Sequence, residues 1–363
     1  MKSFLALTFV SITCFAQPKL QLSVDTVQDL IAKYPTTDET ISVVNRKGGT
    51  NFGPLQFWRY APASSASTNA AVLSAINGGR WILLDLASRV EVIQTVNQAR
   101  IFIPKSENLA IEYVLTYDTS APTQAIWRIS NAFVNTKTGK YTYSRSFFGG
   151  NAICDEGAWE FAVKVSTDGG YVGTYHGYDI ASAAYLMADN MRLSNTVANT
   201  SCDQFSLVQR STVYREAATN ILAYKTTRLD FSLTGVKCKQ RVEWNDTVTL
   251  DHAYLGMMPI EREIGGYQIT DTGFVDPVLS VQNISSNSFP LVISSTGNYI
   301  MLWSEASGIS ARMEMLSWPT ATHNAWISDS IYYNKLYFDT PSASVTPATV
   351  WESEWEANIN IIN

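Results

Sequence analysis

The chain has 363 residues, with 26 Lys and Arg against 32 Asp and Glu, a formal net charge of −6 and only three histidines. That balance argues against nucleic acid as a partner, because binding a phosphate backbone needs clustered cations. It leaves room for a local basic cleft facing an anionic polysaccharide, since a cleft can carry one sign of charge under an exterior of the other.

In chain order, Lys2 precedes the apolar run Phe4 to Phe15, which ends at Ala16 before Gln17. A basic start, a short apolar stretch and a small residue at its end are the pattern of a secretory signal, here residues 1–16. The expectation is a secreted, extracellular or virion-associated protein. No later apolar run approaches the roughly 20 residues that cross a bilayer, so no membrane partner is expected of the mature chain. Beyond the leader the cysteines are Cys154, Cys202 and Cys238. They permit at most one disulfide, and no C-x-x-C or H-x-x-x-H spacing offers a metal site, so the expected metal set is none. No phosphate-binding loop, dinucleotide fingerprint or G-x-S-x-G string occurs, and no cofactor is expected.

Residues 24–88 read as a self-contained α+β module. Asp25 caps a short helix that Pro35 ends, and strands follow at 41–44, 55–60 and 80–84, separated by a Gly-Gly turn and a Ser/Ala/Asn loop. The order "DLIA…P…ISVVNRKGGTNFGPLQFWRYAPASSAST…GGRWILLD" resembles the small N-terminal module of bacteriophage tail spikes and tail fibres and of related secreted polysaccharide-degrading proteins. That resemblance implies a glycan-directed, extracellular or virion-borne protein, often a homotrimer.

From residue 100 to 363 the text is nearly all β. Runs rich in β-branched and aromatic residues, such as 111–117, 221–233, 240–250 and 311–316, alternate with Gly- and Asn-containing turns. One short helix is expected over Ile180 to Arg192, where Ala, Leu and Met gather. Many strands without intervening helices predict an all-β, jelly-roll-like antiparallel β-sandwich, and no rung-like repeat argues for a β-helix.

Alternation assigns faces within these strands. Glu160 and Lys164 share one side of 159–164, and Arg241 and Glu243 share one side of 240–244. Over 224–230, Arg228 and Asp230 point one way and Lys225 the other. The stretch "GGYVGTYHGYDI", residues 169–180, holds His176 among Tyr171, Tyr175 and Tyr178. Read as a strand, it puts Val172, Thr174, His176 and Tyr178 on one side, with glycines that allow a sugar close to the backbone. Phenol and imidazole edges hydrogen-bond while ring faces stack on pyranose faces.

These residue types fit cleavage of a uronate polymer by β-elimination. The reaction needs a cation to neutralise the carboxylate (Arg145 or Arg241), a base (His176) and an acid (Tyr175, Tyr178 or Tyr254). Lys164, Glu243, Lys225, Tyr171, His323 and Trp326 are expected to bind substrate. His252 is read as packing or as indirect support. Arg241-Val242-Glu243 and Tyr333-Asn334-Lys335-Leu336-Tyr337 resemble strings of jelly-roll alginate and glucuronan lyases. The expected activity is therefore a polysaccharide lyase acting on an acidic polysaccharide. Two alternatives stay open: a non-catalytic glycan-binding protein, and a glycoside hydrolase drawing a carboxylate pair from Asp155, Glu156, Glu160, Glu243 and Asp251.

Overall fold

The computed structural model describes residues 89–361, apart from 107, 121–122, 156–158, 160, 195, 217–219, 278–280, 286–291, 295 and 330–332, together with the backbone of short strands between 23 and 83. The leader over 1–16 and the helix expected behind Asp25 lie outside the described residues. Five described strands of the N-terminal stretch form a sheet in the order Ser23–Val24, Thr40–Val43, Gln56–Ala61, Arg80–Leu83, Val72–Ser74, and Arg46–Lys47 pairs with Thr50–Asn51 as a separate ribbon.

The rest is an antiparallel β-sandwich. One layer is a ten-stranded sheet in the order Met191–Arg192, Asp179–Ala188, Gln204–Tyr214, Ile221–Ser232, Gly235–Trp244, Val350–Ile361, Ile309–Ser317, Tyr299–Ser304, Thr272–Val275, Gln282–Asn283. The opposing layer has two sheets. A six-stranded sheet runs Thr142–Ser144, Ile126–Gly139, Leu109–Asp118, Gln98–Pro104, Val90–Gln94, Ala198–Cys202. A seven-stranded sheet runs Tyr171–Val172, Ala162–Val165, Val248–Glu261, Tyr333–Asp339, Asn324–Asp329, Val292–Ser294, with Ser344–Val345 paired to the start of Val248–Glu261. Residues from all three sheets join in one apolar core. Tyr113 of the six-stranded sheet meets Phe231 of the ten-stranded sheet with ring centroids 5.8 Å apart.

Binary patterning explains these layers. In Ile221–Ser232, Lys225, Thr227, Leu229 and Phe231 are buried, while Tyr224 is exposed and Thr226, Arg228 and Asp230 are partly so, the period of 2 that a half-buried strand requires. The helix expected over Ile180 to Arg192 is instead strand: Asp179–Ala188 pairs along its length with Gln204–Tyr214, and Ala188 turns back to Met191. Pairing on a sheet edge overrides the helix preference of Ala, Leu and Met, a weak local bias against a ladder of backbone hydrogen bonds. Cys154, Cys202 and Cys238 are all buried and free, small apolar residues of the core. No helix among the described residues is long and apolar enough to cross a membrane.

One irregularity sets the geometry used below. In Val248–Glu261 the pairing with Tyr333–Asp339 slips between Tyr254 and Gly256, so Tyr254 faces Asp339 and Gly256 faces Phe338. Leu255 is in the main core, and a Cβ on Gly256 would meet the Trp355 indole at 2.8 Å. Both residues of this bulge therefore face inward, which leaves Tyr254 and Met257 together on the outer face of the sheet. Trp355 Nε1 donates to the Leu255 carbonyl at 2.9 Å, satisfying a backbone acceptor inside the bulge. Gly256→Ala should cost roughly 1–3 kcal/mol through overpacking, read as a lowered urea midpoint; an unchanged midpoint would show that Trp355 yields freely.

Candidate active site

The outer face of the seven-stranded sheet carries a row of five rings. His176 lies 5.3 Å from Tyr171, Tyr171 5.5 Å from Tyr254, Tyr254 4.9 Å from Tyr337, and Tyr337 stacks on Trp326 at 4.3 Å, all between ring centroids. Strand register makes the row. Tyr171 pairs with Lys164, Ala162 with Tyr254, Tyr254 with Asp339, Met257 with Tyr337, and Tyr337 with Trp326. Five adjacent strands at about 4.8 Å spacing give the row a length of about 19 Å. Tyr171, Tyr337 and Trp326 are half-buried, so their faces are fixed by packing yet reachable.

At the middle of the row, His252 stacks on Tyr254 with centroids 5.6 Å apart. Its Nδ1 is 2.9 Å from Asp339 Oδ2, and Asp339 Oδ1 accepts the Ala253 N–H at 3.1 Å. The His252 side chain is 39% exposed and that of Asp339 only 2%, so an imidazole open to solvent is oriented by a carboxylate sealed beneath it. Burial raises the Asp339 carboxyl above its ordinary range, and His252 opposes that shift. The hydroxyls of Tyr171 and Tyr254 are 3.2 Å apart; burial, then this hydrogen bond, raises Tyr254, so its phenol stays protonated. Lys164 sits opposite His252 in the register, its Nζ 3.7 Å from Asp251.

His176 reaches the row from a turn, which corrects the strand reading of 171–178. Only Tyr171–Val172 is strand, and Thr174–His176 is one 3₁₀ turn between Gly173 and Gly177. Gly173, at φ 104°, must lack a side chain, because a Cβ there would meet the Phe161 carbonyl oxygen at 2.9 Å. The glycine thus serves the turn and its packing. Lys225 holds the turn from below: its Nζ pairs with Asp179 and donates to Thr174 Oγ1 at 3.2 Å, while Asp179 Oδ2 accepts the Thr174 N–H at 3.1 Å.

The other expected residues divide. Tyr171, Tyr254, His176 and Trp326 lie in the row, with Lys164 beside it. Tyr175, exposed, has its ring edge against His176 at 5.5 Å. Lys225 is fully buried beneath the turn, where no substrate reaches it. Tyr178 packs against the main core. Arg145 gives a bidentate contact to the buried Glu112, which also takes Arg100 and Asn135. Arg241 and Glu243 pair with each other at 3.0 Å. They occupy the solvent side of the ten-stranded sheet, the face opposite Lys225, because Arg241 is registered with Thr226. His323 stacks on Trp318 at 4.1 Å, outside the row. Sequence reading passed over Asp339, named Tyr337 only within the string that resembles a lyase strand, and treated His252 as packing or support. The one signal available was the alternation of Asp251-His252-Ala253-Tyr254, which puts His252 on the side of Tyr254. Among the described residues no group of three or more His, Cys, Asp or Glu side chains is placed to hold a metal ion.

No protein-family model matches the chain, and no curated protein matches it. Solved structures similar to it include a 4-alpha-glucanotransferase from Thermococcus litoralis (8% identity, 75% of this chain and 39% of that one, TM-score 0.39). A galactose mutarotase-like protein from Lactobacillus casei is 11% identical over 72% of this chain and 100% of that one, with a TM-score of 0.39. A heparan sulfate lyase from Pedobacter heparinus is 10% identical over 74% of this chain and 36% of that one, with a TM-score of 0.35. The chain thus spans about 39% of the glucanotransferase's length. All three are named for carbohydrates, none is a tail spike, and the tail-spike resemblance of residues 26–85 gains no support from them. At these scores the chemistry of this chain rests on its own site.

Two outcomes follow from the buried groups. Lys225→Met should destabilise by about 3–5 kcal/mol by stranding Asp179, and adding Asp179→Asn should recover most of it; equal midpoints for the single and double variants would contradict the pairing. Because the folded-state pKa of Asp339 is raised, its contribution to stability is present below about pH 4, its unfolded value, and is lost as pH rises through the folded value. Asp339→Asn should therefore gain stability relative to wild type as pH rises from about 4 to 7, measured by urea unfolding at each pH; a constant difference would contradict the shift.

Proposed function

We propose that this protein is a polysaccharide lyase that cleaves an acidic, uronate-containing polysaccharide by β-elimination along the outer face of the seven-stranded sheet. One observation carries the reading: the exposed His252 imidazole, oriented at 2.9 Å by the buried Asp339 carboxylate, beside Tyr254 in the ring row. With Asp339 ionised, it accepts the Nδ1–H and leaves the lone pair of neutral His252 on Nε2, the tautomer a general base requires. Nε2 removes the proton on the carbon next to the sugar carboxylate. The electron pair forms the carbon–carbon double bond as the glycosidic C–O bond breaks, and the leaving oxygen takes a proton from a phenol. Tyr171 and Tyr254 supply that proton: one of their two hydroxyl hydrogens closes the 3.2 Å bond and the other is free to donate outward. The rings on either side stack against successive sugars and hold the chain across the site.

A hydrolase needs two accessible carboxylates, whereas Asp339 has both oxygens engaged and is sealed. Incubation with pectate, alginate, glucuronan and hyaluronan should raise the ultraviolet absorbance of unsaturated uronate. His252→Ala should lower that rate by about 10²–10⁴-fold with binding retained. New reducing ends without the absorbance would replace this reading with hydrolysis, and binding without turnover would replace it with a lectin.

A further inference from the structure

The ring row accounts for stacking and proton transfer, and the cations beside it are the ammonium groups of Lys164, 3.7 Å from Asp251, and Lys335, 5.4 Å from the Tyr337 centroid, point charges without the fork of donors that suits a carboxylate; the two arginines expected for that task are committed elsewhere. Arg128 is placed differently. It lies in Ile126–Gly139, whose residues Trp127 and Ile129 belong to the core, so alternation turns Arg128 to the outer face. The turn bearing His176 crosses this strand end: Ala125 N–H donates to the Asp179 carbonyl at 3.2 Å and Ala181 N–H to the Ala125 carbonyl at 2.7 Å.

Arg128 Nε and Nη2 both reach Asp118 Oδ2 at 2.6 Å, which orients the guanidinium. Its plane centre lies 5.2 Å from the Tyr175 ring centroid. The third nitrogen, Nη1, is buried and has no hydrogen-bond partner. A buried, unpaired donor on a guanidinium is costly to keep, and this guanidinium lies against the exposed Tyr175 ring, 38% accessible and on the same turn as His176.

We infer that Arg128 recognises the anionic group of the sugar bound at the His176 end of the row, its Nη1 donating to a carboxylate or sulfate oxygen when the Tyr175 ring turns aside. This rests on the lyase reading for its substrate but not for its geometry. The Asp118 pair fixes the direction of the remaining N–H bonds, so the anion meets an oriented donor and not a mobile charge. An exposed tyrosine changes rotamer on the nanosecond scale, so the Tyr175 ring beside the guanidinium gives way to an anion at little cost.

The test compares binding of pectate, of fully methyl-esterified pectin and of a sulfated, uronate-free galactan to wild type, to Arg128→Lys and to the double variant Arg128→Gln/Asp118→Asn, by calorimetry at low and high salt. The double variant leaves no stranded carboxylate, and Arg128→Lys keeps the charge should the double variant fail to fold. Wild type should bind pectate about 10-fold or more tighter than its methyl ester, and both variants should lose most of that preference while binding the ester as wild type does. Loss of the pectate preference alone, with galactan binding retained, would assign the donor to carboxylate; loss of galactan binding alone would assign it to sulfate. Equal binding of pectate and galactan against the neutral ester, unchanged in both variants, would overturn the role of Arg128 while leaving the lyase reading intact. Failure of wild type to bind either anionic polymer better than the neutral ester would overturn the Arg128 role, whereas absence of unsaturated uronate from all four acidic polymers overturns the lyase reading.

Discussion

The hydrogen bond from the Trp355 indole to the Leu255 carbonyl, over the bare Cα of Gly256, is the constraint on which the outer face depends. Side chains of a strand alternate with period 2, so a slip of one residue exchanges the two faces. The bulge inserts that slip between Tyr254 and Gly256. Upstream of it His252 and Tyr254 face outward, and downstream Met257 does so, opposite Tyr337. Without the slip, Gly256 would stand opposite Tyr337 and Met257 would turn inward, removing a side chain from the apolar patch against which Tyr337 and Trp326 pack. Trp355 comes from the ten-stranded sheet and lies wholly in the core, so the packing between the two layers also helps set which side chains support the rings outside.

Electrostatics separate this face from the rest of the surface. On the solvent side of the ten-stranded sheet, Lys237, Lys239 and Arg241 lie across from Glu352, Glu354 and Glu356 in a cross-strand ladder. Such exposed pairs contribute little each and are screened by salt. They keep a charged face solvated and leave no partner unmatched. At the centre of the ring row on the seven-stranded sheet the groups are fixed: a sealed Asp339 under His252 and a phenol pair, with the buried Lys225–Asp179 pair of the ten-stranded sheet beneath the His176 turn. Directed, partly desolvated groups of this kind support proton transfer better than a larger number of mobile charges.

The sheet layers were legible because alternation in stretches such as 221–232 and 235–244 is strong, and burial follows it residue by residue. Tyr171, Tyr254, His176 and Trp326 were legible as ring-forming candidates from residue type and local context. What was not legible is tertiary. His252 and Asp339 are 87 positions apart, and no local pattern links them. Arg145 looked available because sequence does not reveal that Glu112, 33 positions away, claims it, whereas the shared side of Arg241 and Glu243 was legible and their ion pair follows from it. The glycines around His176 suggested a sugar against a strand, whereas Gly173 is bare because the Phe161 carbonyl occupies the place of a Cβ. The strand over 179–188 was hidden by helix-favouring residues whose conformation is set by the neighbouring strand.

A crystal structure of His252→Ala soaked with an acidic oligosaccharide addresses the central claim most directly. The account predicts sugar density lying across Tyr171, Tyr254, Tyr337 and Trp326, with the hydrogen next to a carboxylate pointing to the space vacated by the imidazole. Sugar seated on the solvent side of the ten-stranded sheet, with the ring row empty, would contradict it.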